Sequence, residues 1–409
     1  MKARDAKDVE TAVRDAIGAG QPLAIVGHGT KAVVGHRMAT NAVLDLSALN
    51  AVTAYEPNEL ILTVQAGAAL SEIVPLLAAK NQEFAFEPMN TAALLGTPEG
   101  AGTIGGMIAA GLAGPRRVKA GAARDHLLGI SAVSGFGESF KAGGRVVKNV
   151  TGYDLCKLVA GSWGTLAVMT EVTLKVMPKA ESETTLVLRG LDEGTAVRAM
   201  GVALGSPYDV SAAAHVPASS LRAAGVLGDG VTADSALTLL RLEGIAASVA
   251  HRAETLTAAL DAFGPLERID GDPSRRIWAA IRDVTPFAAS GPLGAWPVWR
   301  IVCPPAAGGT LGQQLARETG GDLIYDWGGG LIWAALPPAQ DAHAALVRAR
   351  VAASGGHATL IRASDAVRAA VDVFHPLDAG VAALTARVKA AFDPSDVFNR
   401  GRLTRAGAR

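Results

Sequence analysis

The sequence predicts an α+β protein with at least two domains. Its 409 residues exceed the length of one average domain, which is roughly 150 residues. The stretch 165–176 alternates apolar and polar residues along its whole length, which is typical of a long, half-buried strand. After residue 180, strands alternate with helices in an order that suggests a ferredoxin-like domain with an antiparallel sheet.

The composition narrows the class of protein. Hydrophobic residues make up 49% of the chain, which supplies ample material for buried cores, and the formal net charge is zero. A balanced charge gives no support for nucleic-acid binding, which usually shows as a basic patch. The two cysteines, Cys156 and Cys303, are too few for a disulfide framework or for the thiolates of an iron–sulfur cluster.

The start of the chain bears on its location. Residues 1–16 predict a charged amphipathic helix rather than a signal peptide, and no run of ~18 apolar residues predicts a membrane span. We therefore expect the protein in the cytoplasm, including the inner face of the cytoplasmic membrane, where partners would hold it.

The loop 27–31 follows a predicted strand at 22–26 and allows two interpretations. Gly27, Gly29 and Ala32 match the G-x-G-x-x-A pattern of a Rossmann dinucleotide site. A Rossmann loop must open a helix that crosses back over the sheet, and the following segment is too short and too rich in glycine for one. The second interpretation, which we favour, is an anion-binding loop of successive backbone N–H groups, to which Thr30 adds a hydroxyl and Lys31 a charge.

The segment 103–117 is a second candidate for ligand binding. It begins with a bend at Thr103 and continues as a helix of small residues, which lets a helix lie flat against a ring system or a dinucleotide. Either Arg116 or Arg117 could face a phosphate. The alternative is a tightly packed Ala/Gly helix without a ligand.

A third motif spans 143–176. The pattern predicts a turn at 143–144, a strand at 145–148, a polar corner at 149–154, a helix at 155–160 and a tight turn at 161–164 that leads into the long strand.

This third motif carries a family resemblance. KNVTGYDL followed by GSWGTLAVMTEVTLKV resembles the end of the FAD-binding domain of vanillyl-alcohol-oxidase (PCMH) type flavoproteins, and within them the FAD-binding subunits of bacterial glycolate oxidases. The resemblance covers the first half of the chain and its last dozen residues. The residues between these two parts resemble the family only in their general layout. It implies a two-part FAD-binding domain at 1–180, an α+β cap at 181–390 and a C-terminal segment, 391–409, that returns to the flavin.

The same resemblance implies the mode of flavin binding. The loop 27–31 is similar to the family's G-G-G-T-K/S loop, with His28 in place of the middle glycine. Relatives that tether flavin through this loop use a histidine where this chain has Thr30, so we expect noncovalent FAD. The implied FAD-binding residues come from the three motifs, from a GxxRDhxLG-like segment at 121–129 and from an FDPxxxxNPG-like tail at 392–401: Gly27, His28, Gly29, Thr30, Lys31, Thr103, Gly105, Gly106, Ala109, Ala110, Arg117, Asp125, Gly152, Tyr153, Gly164, Thr165, Val168 and Asn399.

Catalytic residues are not recognisable in the sequence. It contains no H-E-x-x-H, no spaced Cys/His cluster and no G-x-S-x-G, so we expect neither a metal site nor a serine hydrolase. The cap lacks the H-x-G-D-G-N type motif of the related catalytic flavoproteins. It offers His375, Arg282, Arg300 and Arg362 without a recognisable constellation.

Three functions remain open at this stage. The resemblance implies a subunit of a complex that oxidises glycolate to glyoxylate, together with a catalytic flavin subunit and an iron–sulfur subunit to which electrons pass. The alternatives are a self-sufficient FAD-dependent oxidoreductase of another 2-hydroxy acid or alcohol, and a scaffold subunit without flavin.

Overall fold

A computed structural model describes residues 1–38, 40, 42–145, 152–224, 227 and 234–404. The strand expected at 145–148 and the corner residues 149–151 lie outside these residues, apart from Arg145.

The strands alternate with helices along most of the chain. In chain order, they are β1 (Leu23–Val26), β2 (Ala42–Asp45), β3 (Val52–Glu56), β4 (Ile61–Gln65), β5 (Gln82–Glu83), β6 (Leu127–Val133), β7 (Ser139–Gly143), β8 (Val168–Lys175), β9 (Met177–Pro178), β10 (Ser182–Arg189), β11 (Val210–Val216), β12 (Leu237–Gly244), β13 (Leu266–Asp270), β14 (Val298–Val302), β15 (Asp322–Asp326), β16 (Leu331–Ala335) and β17 (His357–Arg362).

The helices range from single turns to four turns. They are α1 (Ala6–Ala19), α2 (Leu70–Ala78), α3 (Ala92–Leu95), α4 (Ile104–Ala110), α5 (Arg117–Ala120), α6 (Ala123–His126), α7 (Leu155–Val159), α8 (Glu193–Leu204), α9 (Ala218–Ala224), α10 (Ala246–Ala259), α11 (Gly271–Arg282), α12 (Pro305–Thr319), α13 (Ala344–Ser354), α14 (Asp365–Ala370) and α15 (Ala379–Phe392).

The first half of the chain is built on a five-stranded antiparallel sheet in the order β3-β4-β8-β6-β7. The predicted long strand is β8, the middle strand, and its Val172 and Leu174 are fully buried. β8 begins a few residues later than the alternation predicts because 161–165 form a turn, in which Trp163 N–H donates to Ala109 O (2.9 Å).

A smaller layer holds the loop 27–31. β1 and β2 pair in parallel, and the described residues between them form turns rather than a crossover helix, as expected for a non-Rossmann loop. The C-terminal segment runs beside β1, where Leu23 N–H donates to Val397 O (2.7 Å). Phe398 is fully buried in the core shared by α1, β1 and β2.

The second half is an antiparallel sheet of eight strands, in the order β13-β10-β12-β11-β15-β16-β14-β17. This order resolves into two ferredoxin-like units of β-α-β-β-α-β type, β10–β13 and β14–β17, placed edge to edge. The predicted ferredoxin-like cap is therefore confirmed, and it is a tandem pair. The chain leaves the first half after β9 and enters the large sheet with β10, while the domain limits at 180 and 390 remain predictions.

The two units meet through their second strands and their first helices. β11 pairs with β15 at His215 and Tyr325. Gly308 and Gly309 at the start of α12 bring it close to the neighbouring backbone, since a Cβ at Gly309 would lie 2.8 Å from Glu193 O. The small residues of α12 thus fix the two units as one sheet.

A buried ion network joins the two halves of the chain. Arg241 on β12, 1% exposed, donates two hydrogen bonds to the Glu87 carboxylate (2.8 and 2.7 Å). Arg116 pairs with Glu83 (2.6 Å) and with Glu243. Burial alone would raise the pKa of Glu87, but the charges of Arg241 and Arg116 outweigh it and lower the pKa to about 2.

Replacing Glu87 with glutamine should destabilise the protein strongly at pH 7. The change replaces the charged acceptor of two Arg241 hydrogen bonds with a neutral group and leaves Glu243 (3.3 Å) as the remaining carboxylate partner of Arg241, so we expect a loss of up to about 3–5 kcal/mol, the cost of breaking a buried pair. Because the native pKa of Glu87, about 2, lies below its ordinary value of 4.5, the wild type should lose this stability as the pH falls between these values. Urea unfolding as a function of pH measures both effects.

The matched control is Glu318→Gln. Glu318 pairs with Arg350 at 2.6 Å on the surface, where a salt bridge contributes about 0–1 kcal/mol. Equal losses in the two variants would contradict a stabilising role for the buried network.

Candidate functional site

One cleft opens in the first half, between the loop 27–31, α4, the turn 161–164 and the C-terminal segment. Its empty volume is about 780 Å³ including its open mouth. The segments that line it are far apart in sequence: 25–32, Met38, Leu46, Ala66, Thr103, Gly105, Gly106, Ala109, Ala110, Trp163, Gly164, Ala167, Met169, Asn399 and Arg402.

The loop 27–31 presents free backbone donors to this cleft. Among the described residues, none accepts a hydrogen bond from the backbone N–H groups of this loop. Gly29 has φ of 69°, a conformation that glycine adopts without strain. Gly27 leaves no space for a side chain, since a Cβ there would collide with Thr103. The loop is therefore suited to an anionic ligand.

Helix α4 forms a wall of the cleft rather than an anion site. Thr103 caps it by accepting from Gly106 N–H (3.2 Å), and Gly105 N–H donates to Ala66 O (2.7 Å). A Cβ on Gly105 would lie 2.8 Å from Ala66 Cβ, so α4 packs directly on the end of β4. Because its first N–H groups are already bonded, phosphate oxygens would find their backbone donors on the loop 27–31.

Asn399 holds two walls of the cleft together. Its Oδ1 accepts from Ile25 N–H on β1 (2.7 Å), and its Nδ2 donates to Trp163 O in the turn (2.8 Å). Asn399 is almost fully buried, and its φ is 43°. Both ends of its amide are engaged by protein, so the side chain positions the cleft.

Two cations, Lys31 and Arg402, lie at the end of the loop 27–31, and neither has a carboxylate partner among the described residues. Arg402 Nη2 donates to Lys31 O (2.6 Å), and the guanidinium lies 5.2 Å from the centre of the Trp163 ring. Burial and the charge of Arg402 lower the pKa of Lys31 to about 8. Burial and the charge of Arg368 lower the pKa of Arg402 to about 10.

The cleft brings together most of the residues predicted from sequence to bind FAD. Those that line it are Gly27, His28, Gly29, Thr30, Lys31, Thr103, Gly105, Gly106, Ala109, Ala110, Gly164 and Asn399. Within this set, His28 is exposed, and its Nδ1–H donates to Ala101 O (2.7 Å).

The predicted residues of the 117–126 region lie outside the cleft lining. Arg117 points toward the cap, with its guanidinium 4.9 Å from the centre of the Trp327 ring. Asp125 accepts from Ala122 N–H (2.8 Å) and so caps the short helix α6. Their contact with FAD stays a prediction.

Four further predicted residues do not line the cleft either. Tyr153 is 93% exposed, and Gly152 beside it has φ of 74°. Thr165 donates to Ser162 O (2.7 Å) within the turn, and Val168 is fully buried in the core around α1. The first two flank the undescribed residues 146–151, and flavin contact by any of the four stays a prediction.

The candidate cap residues are mostly engaged in structural contacts. Arg282 pairs with Asp283 (2.6 Å), and Arg362 donates to backbone carbonyls on both halves, including Leu94 O (3.0 Å). Arg116, a candidate phosphate-binding residue in the sequence analysis, pairs instead with Glu83 and Glu243. These pairs belong to the ion network at the seam, the contact between the two halves of the chain. Arg300 differs, since it makes no ion pair with the described residues; burial and the charge of Arg117 lower its pKa to about 10.

Arg402 is a cleft residue that the sequence reasoning did not select. Its signal was its place in the tail, three residues after Asn399 in a segment already expected to return to the flavin.

The described residues contain no group of three or more His, Cys, Asp or Glu side chains that could hold a metal ion. In the same part of the chain, no helix is both long and apolar enough to cross a membrane.

The comparison with known proteins agrees with this geometry. A family model described as "FAD binding domain" matches residues 1–143. Glycolate oxidase subunit GlcE of Escherichia coli K12 is 31% identical over 393 residues, which is 96% of this chain and 95% of that protein. The chain belongs to the PCMH-type FAD-binding family. FAD is therefore its cofactor, and the chain is an FAD-binding protein of an oxidoreductase family.

Another relative matches a shorter part of the chain. Glycolate oxidase subunit GlcD of Bacillus subtilis 168 is 32% identical over 145 residues, 36% of this chain and 29% of that protein.

Solved structures show the same fold at low sequence identity. A 4-ethylphenol oxidase from Gulosibacter chungangensis matches with a TM-score of 0.71 and 13% identity, covering 99% of this chain and 88% of that chain. Alkyldihydroxyacetonephosphate synthase matches with a TM-score of 0.68 and 15% identity, covering 98% and 76%. Both matches confirm the α+β fold expected for the PCMH-type family.

The cleft fits FAD in its chemistry. The loop 27–31 offers unbonded N–H groups and Lys31 and Arg402 offer uncompensated charge, as a diphosphate requires. The small residues of α4 offer a flat wall to the rest of the cofactor. These residues would hold the FAD.

Gly27→Ala should abolish FAD retention while leaving the fold intact. The added methyl group collides with Thr103 and separates the loop from α4. The ratio of flavin to protein absorbance in the purified variant, with far-UV circular dichroism, measures the effect. Gly144→Ala is the control, since a Cβ there has no atom within 4 Å, and full FAD occupancy in Gly27→Ala would refute the assignment.

Lys31→Met should stabilise the FAD-free protein at pH 7. The native pKa of Lys31, about 8, lies below its ordinary value of 10.5, so its charge opposes folding below pH 8 and the penalty fades between these values. We expect a gain on the order of 1–3 kcal/mol that disappears near the upper value. Urea unfolding of the apoprotein across this range is the measurement, and a gain independent of pH would contradict it.

Proposed function

We propose that this chain is the FAD-binding subunit of a glycolate oxidase or dehydrogenase complex. The observation that carries the proposal is the match to GlcE over nearly the whole length of both chains, cap included. In the proposed complex, glycolate loses two electrons and two protons at its CH–OH carbon and becomes glyoxylate. Bound FAD supplies the ability to take up an electron pair and to release electrons singly.

The cap supports a role that depends on partners. Oxidation of a hydroxy acid requires a base near the hydroxyl group and cations for the carboxylate. Arg282 and Arg362 are committed to contacts within the protein, and His375 Nδ1 lies 2.8 Å from Arg348 Nη1. We therefore assign substrate oxidation to a catalytic flavin subunit and electron transfer to the present chain.

An iron–sulfur subunit completes the proposal. Cys156 and Cys303 are both buried, and burial raises the pKa of each thiol to about 11, so neither is a ready metal ligand. We place the cluster in another subunit and the assembly in the cytoplasm, with attachment to the inner face of the membrane through partners.

A second candidate is a self-sufficient oxidoreductase of another 2-hydroxy acid or alcohol. One observation favours it: Arg300, on the cap strand β14, is a partly buried cation that forms no ion pair with the described residues. Such a side chain could bind a substrate carboxylate.

The visible spectrum of the purified chain separates the two candidates. We expect a yellow protein that does not bleach when glycolate or D-lactate is added anaerobically, because the catalytic groups lie in a partner. Co-purification with the catalytic flavin and iron–sulfur subunits should restore bleaching by glycolate.

Bleaching of the chain alone would instead support the self-sufficient enzyme, and Arg300→Gln should then weaken substrate binding. A lack of bleaching in the complete assembly would refute the glycolate proposal.

A further inference from the structure

The candidate FAD cleft contains a pair of cations for which the described part of the chain provides no counter-charge. Arg402 is 7% exposed, and its Nε is buried with no hydrogen-bond partner. No described carboxylate lies within ion-pair distance of Arg402 or Lys31. The nearby Arg368 does have such a partner, Asp365, at 2.5 Å.

Burying a cation without an anion beside it costs free energy of folding. Proteins usually pair buried charges, because removal from water is compensated only by an opposite charge or by several hydrogen bonds. Lys31 and Arg402 also carry like charges at close range, and burial together with the charge of Arg402 lowers the pKa of Lys31. An arrangement of this kind is favourable when a ligand brings the missing negative charge.

The position of the pair identifies that ligand. Arg402 bonds to the carbonyl of Lys31, the last residue of the loop whose N–H groups remain free. Both side chains line the cleft. The group that suits two cations and a row of N–H donors is a diphosphate.

We propose that Arg402 and Lys31 together bind the diphosphate of FAD, and that Arg402 is a cofactor-binding residue. The role rests on FAD as the cofactor and not on glycolate as the substrate, so it stands or falls separately from the proposed function. In this proposal the C-terminal segment contributes a cofactor-binding residue, Arg402, in addition to Asn399, which positions the cleft.

The competing explanation is that Arg402 only supports the loop. Its guanidinium contacts the Lys31 carbonyl and lies over the Trp163 ring, and both contacts could serve packing alone. The two explanations differ in their dependence on salt, because charge–charge attraction is screened by ions and packing is not.

The test is a titration of the apoprotein with FAD, followed by the change in flavin fluorescence, at about 10 and about 500 mM NaCl. Arg402→Met and Lys31→Met should each weaken FAD binding by about 10- to 100-fold at low salt. Each should also reduce the salt sensitivity of the dissociation constant. Arg402→Lys, which keeps the charge, should retain most of the salt sensitivity.

Arg400→Met is the matched control. Arg400 lies two residues away in the same tail, pairs with Asp396 at 3.1 Å and does not line the cleft, so FAD affinity should stay within about twofold of wild type. ADP should compete with FAD in the wild type and less well in Arg402→Met, since it carries the same diphosphate.

Two results would overturn the proposal. One is an unchanged FAD affinity in both Arg402→Met and Lys31→Met. The other is a loss of affinity with the wild-type salt sensitivity in both, which would make the pair a support for the loop. If Arg402→Met fails to fold, Lys31→Met decides between the same outcomes.

Discussion

The FAD cleft depends on one buried amide. Asn399 bonds to β1 through its oxygen and to the turn 161–164 through its nitrogen, so three segments distant in sequence meet at a single side chain. Asn399 N–H also donates to Leu23 O (2.9 Å), and Phe398 beside it fills the core under β1. Loss of this amide would leave buried backbone donors and acceptors without partners, which is more costly than the bonds themselves.

The cleft beside Asn399 offers an anionic ligand mainly backbone donors. The free N–H groups of the loop 27–31 are available because Gly29 takes a positive φ and Gly27 sits against Thr103. Backbone donors on a tightly packed loop are already oriented when the ligand arrives. Because these donors are already ordered in the folded protein, ligand binding loses little further conformational entropy.

Much of the architecture could be predicted from local patterns, and the exceptions have physical causes. The alternation at 165–176 predicted β8, and the order of strands and helices predicted the cap. Local patterns do not predict β13, because it is a largely exposed edge strand of mostly charged and polar sequence, LERID. An edge strand with little buried surface can be polar on both faces. Its sequence therefore lacks the apolar pattern by which a strand is predicted.

Residues of the candidate site could be predicted where they lie in one contiguous motif. They could not be predicted where their role depends on contact partners that are distant in sequence. The loop 27–31 and the helix α4 could be selected from their glycines. Arg116 could not be distinguished from a phosphate-binding residue, because its partner Glu243 lies on β12, 127 residues away in the sequence. Arg402 was missed for the complementary reason: only the structure shows that none of the described carboxylates pairs with it.

At the seam, buried charged side chains have opposite charges beside them, whereas in the cleft the described residues provide none. This difference distinguishes a structural role from ligand binding. At the seam, Glu87 is buried between Arg241 and Arg116, its pKa is lowered to about 2, and its ionised form stabilises the fold. In the cleft, burial beside Arg402 lowers the pKa of Lys31 to about 8, and its ionised form opposes folding. A charge that the protein compensates holds the structure together. A charge that the described residues leave uncompensated, next to unbonded N–H groups, is available to a ligand, and we propose that this ligand is the anionic part of FAD.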